Sequence, residues 1–327
     1  VKVLRIGDPH VKHSNLEESD RLFGFALDTA VAEKVDRIDI LGDLFHNHVL
    51  VRLDVMDFWR KWAVKFAEAF PTYMLVGNHD MPGDRQSEWK ISSLDSLPEH
   101  PNLTIVKTAL IGDDGIAYMS YTHSPEKFLM TAKEMSTYPK RPRTLVCHGT
   151  FVGSKYDNDY PAPDGIDPDL VPFDFVVSGH IHGEQEFGKV HHPGTPRWDG
   201  SSDANKRKGL WVYEHAQDGA VLSKKMIGTE SVCTPVVDLE WKEGQEMPKA
   251  PPNARATYSI VGTSAWVRQA KKSALESGAL ARTTFTDSVA SKALRKSAKG
   301  LEDYLDNVFQ PSAGVAKKEI LEWLSSP

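Results

Sequence analysis

Ile38-Asp-Ile-Leu-Gly-Asp-Leu-Phe-His46 passes within nine residues from an apolar, β-branched run to a glycine, a carboxylate and an imidazole. The run reads as a short buried strand and the glycine as its end. Asp43 then stands where a strand gives way to a loop, which is where an open α/β sheet puts its chemistry. Four other blocks carry the same residue types: Asp8-Pro-His10, Gly77-Asn-His-Asp80, Cys147-His-Gly149 and Gly179-His-Ile-His182. All but the Cys147 block close an apolar run.

Outward from these blocks the chain alternates strands and helices. Residues 1–6 predict a strand, 17–33 a helix with Leu22, Phe25, Ala26 and Thr29 near one face, 38–41 a strand, 52–70 a helix and 73–76 a strand. That βαβ order favours a largely parallel sheet with helices outside it. Further on, 103–106, 115–121, 144–147, 173–177, 210–214 and 221–226 read as strands without long helices between them, so a second sheet packed on the first is expected. The Pro- and Gly-containing stretch 240–252 reads as a linker. Beyond it come a strand at 254–262, a helix at 264–277 with Ser264 as N-cap, and a strand at 282–285. The expected domains are therefore 1–240, a small α+β unit at 253–290, and helices over 291–327.

Apolar content of 40% and charged content of 26% are ordinary for a globular protein. No apolar stretch approaches the roughly 18 residues of a membrane span, and no charged-then-apolar leader precedes the first strand. A soluble cytoplasmic protein without membrane contact is expected. The two cysteines, Cys147 and Cys233, are expected to be reduced and buried. The formal charge of −6 argues against a chain that coats nucleic acid, yet charge is uneven. Between Trp266 and Lys299 eight basic residues, among them Arg268, Lys271 and Lys272, face two acidic ones, and Lys206-Arg207-Lys208 form a second cluster. Both are candidate phosphate contacts, against the plainer reading of solvated faces.

The blocks supply a metal chemist's set of donors. Asp8 and His10 are two apart, so on a regular strand both side chains point one way; His180 and His182 repeat that spacing. Asp43 offers a carboxylate able to bridge two cations, Asn78 a carbonyl oxygen, and His148 an imidazole. Oxygen donors mixed with imidazole suit Mn²⁺, Fe²⁺ or Zn²⁺ better than Ca²⁺ or Mg²⁺. No thiolate spacing indicates a structural zinc site. Each block alone is weak; five in this order are not.

Taken together, the pattern Asp-x-His, Gly-Asp, Gly-Asn-His-Asp, a single His and Gly-His-x-His resembles the calcineurin-like metallophosphoesterases. The resemblance implies a four-layer α-β-β-α sandwich of two mixed sheets. It implies two divalent transition-metal ions, with Mn²⁺ the leading candidate: one held by Asp8, His10, Asp43 and His182, the other by Asp43, Asn78, His148 and His180. It places His79 to contact the phosphate and protonate the leaving oxygen. Asp80 then either orients that imidazole or caps a turn.

Within the superfamily, Gly42-Asp-Leu-Phe-His46 followed by a long helix is similar to nuclease subunits of the SbcCD type, including those of large phages. The succession Ser178 to His182, His192-Pro-Gly-Thr-Pro196, a charged Ser-rich loop and Gly209-Leu-Trp-Val-Tyr213 resembles their last core hairpins. The unit at 253–290 matches the place of a DNA-capping domain, and 291–327 that of helices docking on a partner ABC-type ATPase. This likeness implies DNA as substrate, at duplex ends, hairpins or single strands, for exonuclease or endonuclease cleavage in repair and recombination. It makes His46 a candidate second catalytic histidine. It also implies homodimerisation through the helix at 52–70, whose Val55, Met56, Trp59, Trp62, Ala63 and Phe66 lie on one arc; packing on its own sheet is the alternative. Rival functions are a phosphatase or small-molecule phosphodiesterase with the same metal site, and a binding module that has lost catalysis. The acidic residues Asp157, Asp159, Asp164, Asp167 and Asp169 are expected to form a solvated loop rather than a third cation site, and His192 to shape its loop beside Pro193.

Overall fold

A computed structural model of the chain describes residues 1–48, 50–83, 91–139, 141–156 and 159–285. The chain divides into two compact units, Val1–Val236 and Val237–Pro327.

In the first unit, β1 (Lys2–Ile6), β2 (Arg37–Ile40), β3 (Thr72–Leu75) and β4 (Leu103–Val106) lie side by side and parallel. On the other edge of β1, β11 (Gly209–His215) and β12 (Val221–Gly228) extend the sheet antiparallel, giving six strands in the order β12-β11-β1-β2-β3-β4. The second six-stranded sheet runs β5 (Ala109–Ile111), β6 (Ile116–Met119), β7 (Thr144–His148), β8 (Phe175–Gly179), β10 (Val190–His192), β9 (Gln185–Phe187). Its middle strands β6, β7, β8 and β10 are parallel.

Alternation along each strand builds the layers. Leu4, Ile6, Ile38, Ile40 and Met74 pack on α1 (Leu16–Glu33) and α2 (Leu53–Ala69). Val3, Leu75 and Tyr213 turn the other way and meet Ile116, Tyr118, Val146 and Val177 of the second sheet. Leu145, Cys147 and Val176, on its far face, pack against Phe128, Ala132 and Met135 of α3 (Pro125–Ser136). The result is the α-β-β-α sandwich. The layer between the sheets is not wholly apolar: Asp39 accepts from Arg37 at 2.8 Å, from Arg5 at 3.4 Å and from the Tyr118 hydroxyl at 3.1 Å, all four side chains being buried. Removing one partner from such a group costs about 3–5 kcal/mol, because it strands the other charge.

Two expectations change here. A long helix, α3, does separate β6 from β7; the Ser124 hydroxyl accepts from the Lys127 amide at 3.2 Å, and Pro125 opens the first turn where its missing N–H costs nothing. The apolar arc of α2 is consumed at home: Val55, Trp59, Trp62, Ala63 and Phe66 are buried against Phe23 and the first sheet, with Trp59 Nε1 donating to the Leu44 carbonyl at 3.1 Å. Met56, on the same arc, is half-buried, so packing on its own sheet takes five of the six side chains. Each such large side chain contributes about 1.5–3 kcal/mol through burial.

The second unit holds β13 (Val236–Lys242), β14 (Arg255–Gly262), α4 (Ser264–Glu276) and β15 (Leu280–Phe285), in a sheet ordered β13-β14-β15 with β14 and β15 parallel. Its core is Trp241, Tyr258, Ile260, Val267, Ala270 and Ala274. Glu240, Trp241 and Lys242 therefore belong to a strand and not to the expected linker. The cap of α4 is Thr263 rather than Ser264, tied down by Glu243, which accepts from the Thr263 amide at 2.7 Å and its hydroxyl at 2.8 Å. The helices expected over 291–327, with Lys292 to Lys299, lie outside the described residues. Among those described, no helix is long and apolar enough to cross a membrane.

Candidate metal centre

The C-terminal ends of the parallel strands β1, β2, β3, β7 and β8 lie together, and each, with the loop that follows it, delivers one of the five blocks, His148 as the last residue of β7. The geometry is not that of strands continued. His10, Asp43 and His180 have φ of 42°, 51° and 79°, a left-handed conformation that costs a non-glycine residue roughly 1–2 kcal/mol. Asp8 and His10 therefore face the same space through a turn, not through strand alternation; the His10 amide donates to the Asp43 carbonyl at 3.0 Å and fixes that turn. Gly42, with φ of 98°, leaves room that a side chain would deny, since a Cβ there would stand 2.6 Å from His148 Nδ1.

Seven expected donors converge. Potential ligand atoms of Asp8, His10 and His182 lie within 4.8 Å of one another, as do those of Asp43, His148 and His180, and those of His10, Asp43 and His79. His10 Nε2 and His182 Nε2 are 2.9 Å apart. Asn78 Oδ1 lies 3.0 Å from His148 Nε2 and 2.8 Å from His180 Nδ1. Asp43 divides its carboxylate between the groups, Oδ2 standing 3.5 Å from His10 Nε2 and Oδ1 3.4 Å from His148 Nε2. Both oxygens of Asp8 and Nδ1 of His10 are buried without a hydrogen-bond partner among the described residues. A bare carboxylate in such a place is costly unless a cation compensates it. The set fits divalent metal ions.

Electrostatics agree. Burial pushes Asp8 up to about 6, opposed by His148 and reinforced by Asp43. Burial works against charge on His148, but Asp43 and then Asp8 outweigh it and lift the imidazole to about 9. Burial also opposes ionisation of Asp43, yet His148 and His10 hold it well below the usual carboxylate range. His180 is pushed down to about 3, and His10 well down, mainly by burial. Neutral imidazole is the form that ligates, so His10 and His180 stand ready, whereas His148, charged beside Asp43 and Asp8, would give up its proton to a cation taking the same carboxylates.

Around the donors the histidines take distinct places. His79 Nδ1 donates to the His46 carbonyl at 2.6 Å, and its amide to Asp43 Oδ1 at 2.8 Å. Burial, opposed by Asp43, lowers its pKa. The His46 ring lies at the rim, 5.5 Å from His10 and 6.1 Å from His79, its pKa lowered by burial and then by Lys12. Asp80 does not orient His79: it is buried, accepting from the Gly77 amide at 2.9 Å and the Phe45 amide at 3.1 Å. It ties the two metal loops together from below, a structural role, and burial beside Asp43 raises it to about 7. His48 was missed by sequence reasoning. Its ring stacks on His79 with centroids 3.9 Å apart, and the second histidine of His46-Asn-His48 was the available signal.

The basic clusters fare differently. Arg207 is exposed and Lys206 half-buried, but Lys208 is buried and no phosphate contact. Its ammonium pairs with Asp203 at 2.6 Å and donates to Thr195 Oγ1 at 2.7 Å and to the His182 carbonyl at 2.9 Å. It braces the metal loop from inside. Arg268, Lys271 and Lys272 are exposed on α4, with Glu276 3.9 Å from Lys272. Both cysteines are free and buried, and burial raises each thiol to about 12. His192 is a buried strand residue, 3.0 Å from both the Ser178 carbonyl and Ser154 Oγ, and not a loop-shaping one. Asp167 caps the Asp169 amide at 2.9 Å, and among the described residues none of the acidic loop joins a metal-competent group.

Residues 1–184 match the family model of the calcineurin-like phosphoesterases. The chain belongs to that family. Its membership makes it a metal-dependent phosphoesterase by class. It is 28% identical to protein 244L of invertebrate iridescent virus 6 over 198 residues, covering 59% of this chain and 69% of the relative. It is also 28% identical to protein 078R of invertebrate iridescent virus 3 over 202 residues, 60% of this chain and 57% of the relative. Both names give a phosphoesterase and no substrate. Among solved structures, TT1561 of Thermus thermophilus overlaps with a TM-score of 0.39 at 15% identity, over 59% of this chain and 89% of that one.

Proposed function

We propose that this phosphoesterase is a two-metal DNA nuclease, the nuclease subunit of an SbcCD-type repair and recombination complex working in the cytoplasm of a cell or phage-infected host. One observation carries the reading: seven donors from the ends of five strands converge, the buried carboxylate of Asp8 among them without a hydrogen-bond partner among the described residues, with the His79 ring beside them. Two divalent ions, Mn²⁺ by donor type, would be held by Asp8, His10, Asp43 and His182 and by Asp43, Asn78, His148 and His180, supplying charge that acidifies a water and neutralises phosphoryl oxygens.

The chain's own part is to hold the donors and move a proton. In the imidazolium form of His79 both nitrogens carry protons. Nδ1–H is committed to the His46 carbonyl, so the Nε2 proton is the one free for a leaving oxygen. Such general acid catalysis is worth about 10²–10⁴ in rate. His79→Asn should therefore slow cleavage of an oligonucleotide by about that factor, and much less that of a bis-nitrophenyl ester, whose leaving group needs no proton. Metal stoichiometry should not change. Equal losses on both substrates would contradict the role.

DNA as substrate rests on the resemblance and on the exposed Arg268, Lys271 and Lys272 of α4. Docking of an ATPase through 291–327 belongs to the same proposal. A homodimer would use what α2 leaves exposed, beginning with Leu53, which is 88% accessible. Burial of Lys208 removes part of the basic surface and favours a second reading, a phosphatase or small phosphodiester hydrolase. Replacing the three α4 cations by glutamate separates them: the nuclease reading expects weaker DNA binding, a salt slope shallower by about 2.7, and an unchanged nitrophenyl ester rate. Unchanged DNA cleavage favours the small substrate.

A further inference from the structure

The loops at residues 46–48 and 78–79 are clasped to each other by their own histidines. His79 Nδ1 donates across to the carbonyl of His46 at 2.6 Å, and His48 Nδ1 donates back to the carbonyl of Asn78 at 2.9 Å. Between these two crossed bonds the rings of His48 and His79 lie face to face, 3.9 Å between centroids and 30° between planes. His46 continues the column on a similar tilt, 28° from His79, while His10 meets the His79 ring edge-on at 4.7 Å. A carbonyl accepts and cannot donate, so each bond fixes a proton on Nδ1 of its ring and turns Nε2 away from the clasp. The His79 ring could otherwise rotate about its side-chain torsions; the His48 face closes one side of that rotation.

We propose that His48 is a positioning residue for the phosphoesterase reaction, holding the His79 ring in the orientation in which its imidazolium presents Nε2–H to the leaving oxygen. The inference rests on the reading of His79 as proton donor, and goes beyond it by assigning a residue outside the five blocks. His48 touches neither the donor set's side chains nor the reacting atoms in this role; it acts through the ring it covers. Its value is specific to reactions that need the His79 proton. Loss of one aromatic face, worth about tenfold by the usual strength of ring pairs, should fall on kcat for poor leaving groups and spare good ones.

The test uses the full chain with His48→Ala and His48→Phe, the latter keeping a ring to stack. In the metal-free protein, the Nδ1–H of His79 is read by nitrogen-edited proton NMR; in the Mn²⁺-loaded protein, kcat and KM are measured on a diphenyl and a bis(2,4-dinitrophenyl) phosphate. The expected result is a His79 Nδ1–H that exchanges with water about tenfold faster in His48→Ala, and a kcat on the diphenyl ester about tenfold lower. KM and the dinitrophenyl rate should stay near wild type, and His48→Phe should restore both readouts. An unchanged Nδ1–H and unchanged kcat would overturn the proposal. So would equal losses on both esters, which a merely structural residue would give. If His79→Asn leaves the diphenyl rate at wild type the reading of His79 as proton donor fails while the NMR signal still decides the clasp; if the rate depends on His79 and ignores His48, only the clasp fails.

Discussion

Replacing Lys208 by methionine tests whether this lysine is a surface cation waiting for phosphate or an internal brace. The side chains are similar in length, so packing is largely kept and the charge is what disappears. Lys208 is 1% exposed, its ammonium 2.6 Å from Asp203, which also accepts from the Asp199 amide at 2.9 Å and the Gly200 amide at 3.2 Å. The substitution leaves a buried carboxylate without its cation, together with the Thr195 hydroxyl and the His182 carbonyl it had satisfied. Breaking a buried pair from one side costs about 3–5 kcal/mol. For a unit of this size each kcal/mol lowers the midpoint by about 2–4 °C, so a fall of about 6–20 °C is expected by scanning calorimetry. Adding Asp203→Asn removes the stranded charge and should recover more than half of the loss. Lys206→Ala and Arg207→Ala, by contrast, should stay within about 0.5 kcal/mol of wild type. A Lys208→Met protein that melts within 2 °C (~0.5–1 kcal/mol) of wild type while its DNA affinity and salt slope both fall would refute the brace and restore the phosphate contact.

Gly179 offers a second probe, because a Cβ there would stand 2.5 Å from Asp8 Oδ1, 2.6 Å from the Leu41 carbonyl and 2.8 Å from His148 Nδ1. Gly179→Ala should weaken Mn²⁺ binding by about 10–100-fold in a calorimetric titration, at an overpacking cost of about 1–3 kcal/mol; unchanged affinity would show that these donors do not act together. His215 supplies the pH dependence. Burial, and then Arg5, push its pKa down to about 3 from near 6.5, while Nδ1 donates to the Gly219 carbonyl at 3.0 Å. Between those values the unfolded chain binds a proton that the folded one refuses, so this residue costs stability as pH falls below 6.5 and has no effect above it. His215→Gln should flatten the curve of unfolding free energy against pH by up to about 1.4 kcal/mol per unit across that window, and parallel curves would refute the assignment.

The metal donors were legible because the chemistry of each block is carried by residue type and, in all but the Cys147 block, by its place after an apolar run. Asp43 and Asn78 needed no three-dimensional knowledge to be placed at strand ends. What periodicity could not show was how the chain leaves the strand: with His10 in a left-handed φ, alternation grouped Asp8 and His10 rightly for the wrong reason, while the same spacing at His180 and His182, where His180 is also left-handed, delivers the two rings to different groups. Lys208 was misread because charge in a run of Lys and Arg says nothing about burial, and its partner Asp203 lies in the same loop where both looked solvated. The arc of α2 illustrates the reverse limit, since an apolar helix face does not announce whether it meets its own sheet or a second copy. Of the two readings of Asp80, orienting the adjacent His79 or capping a turn, the second holds: it takes the Gly77 amide three residues back, and with it the Phe45 amide, because backbone amides compete for a carboxylate more effectively than a neighbouring ring. His48 escaped because its partner is a backbone carbonyl, Asn78 O; the spacing His46-Asn-His48 flags the ring but does not encode that bond.

The central claim is that the five blocks form one centre for two ions. Equilibrium dialysis of the purified chain against Mn²⁺ tests it most directly, with His182→Ala and His180→Ala beside the wild type. Two ions per wild-type chain are predicted, and one per chain in each variant, since each histidine belongs to a different group around the shared Asp43. A wild type that binds no ion or only one, or a His182→Ala protein that still holds two, would contradict the account.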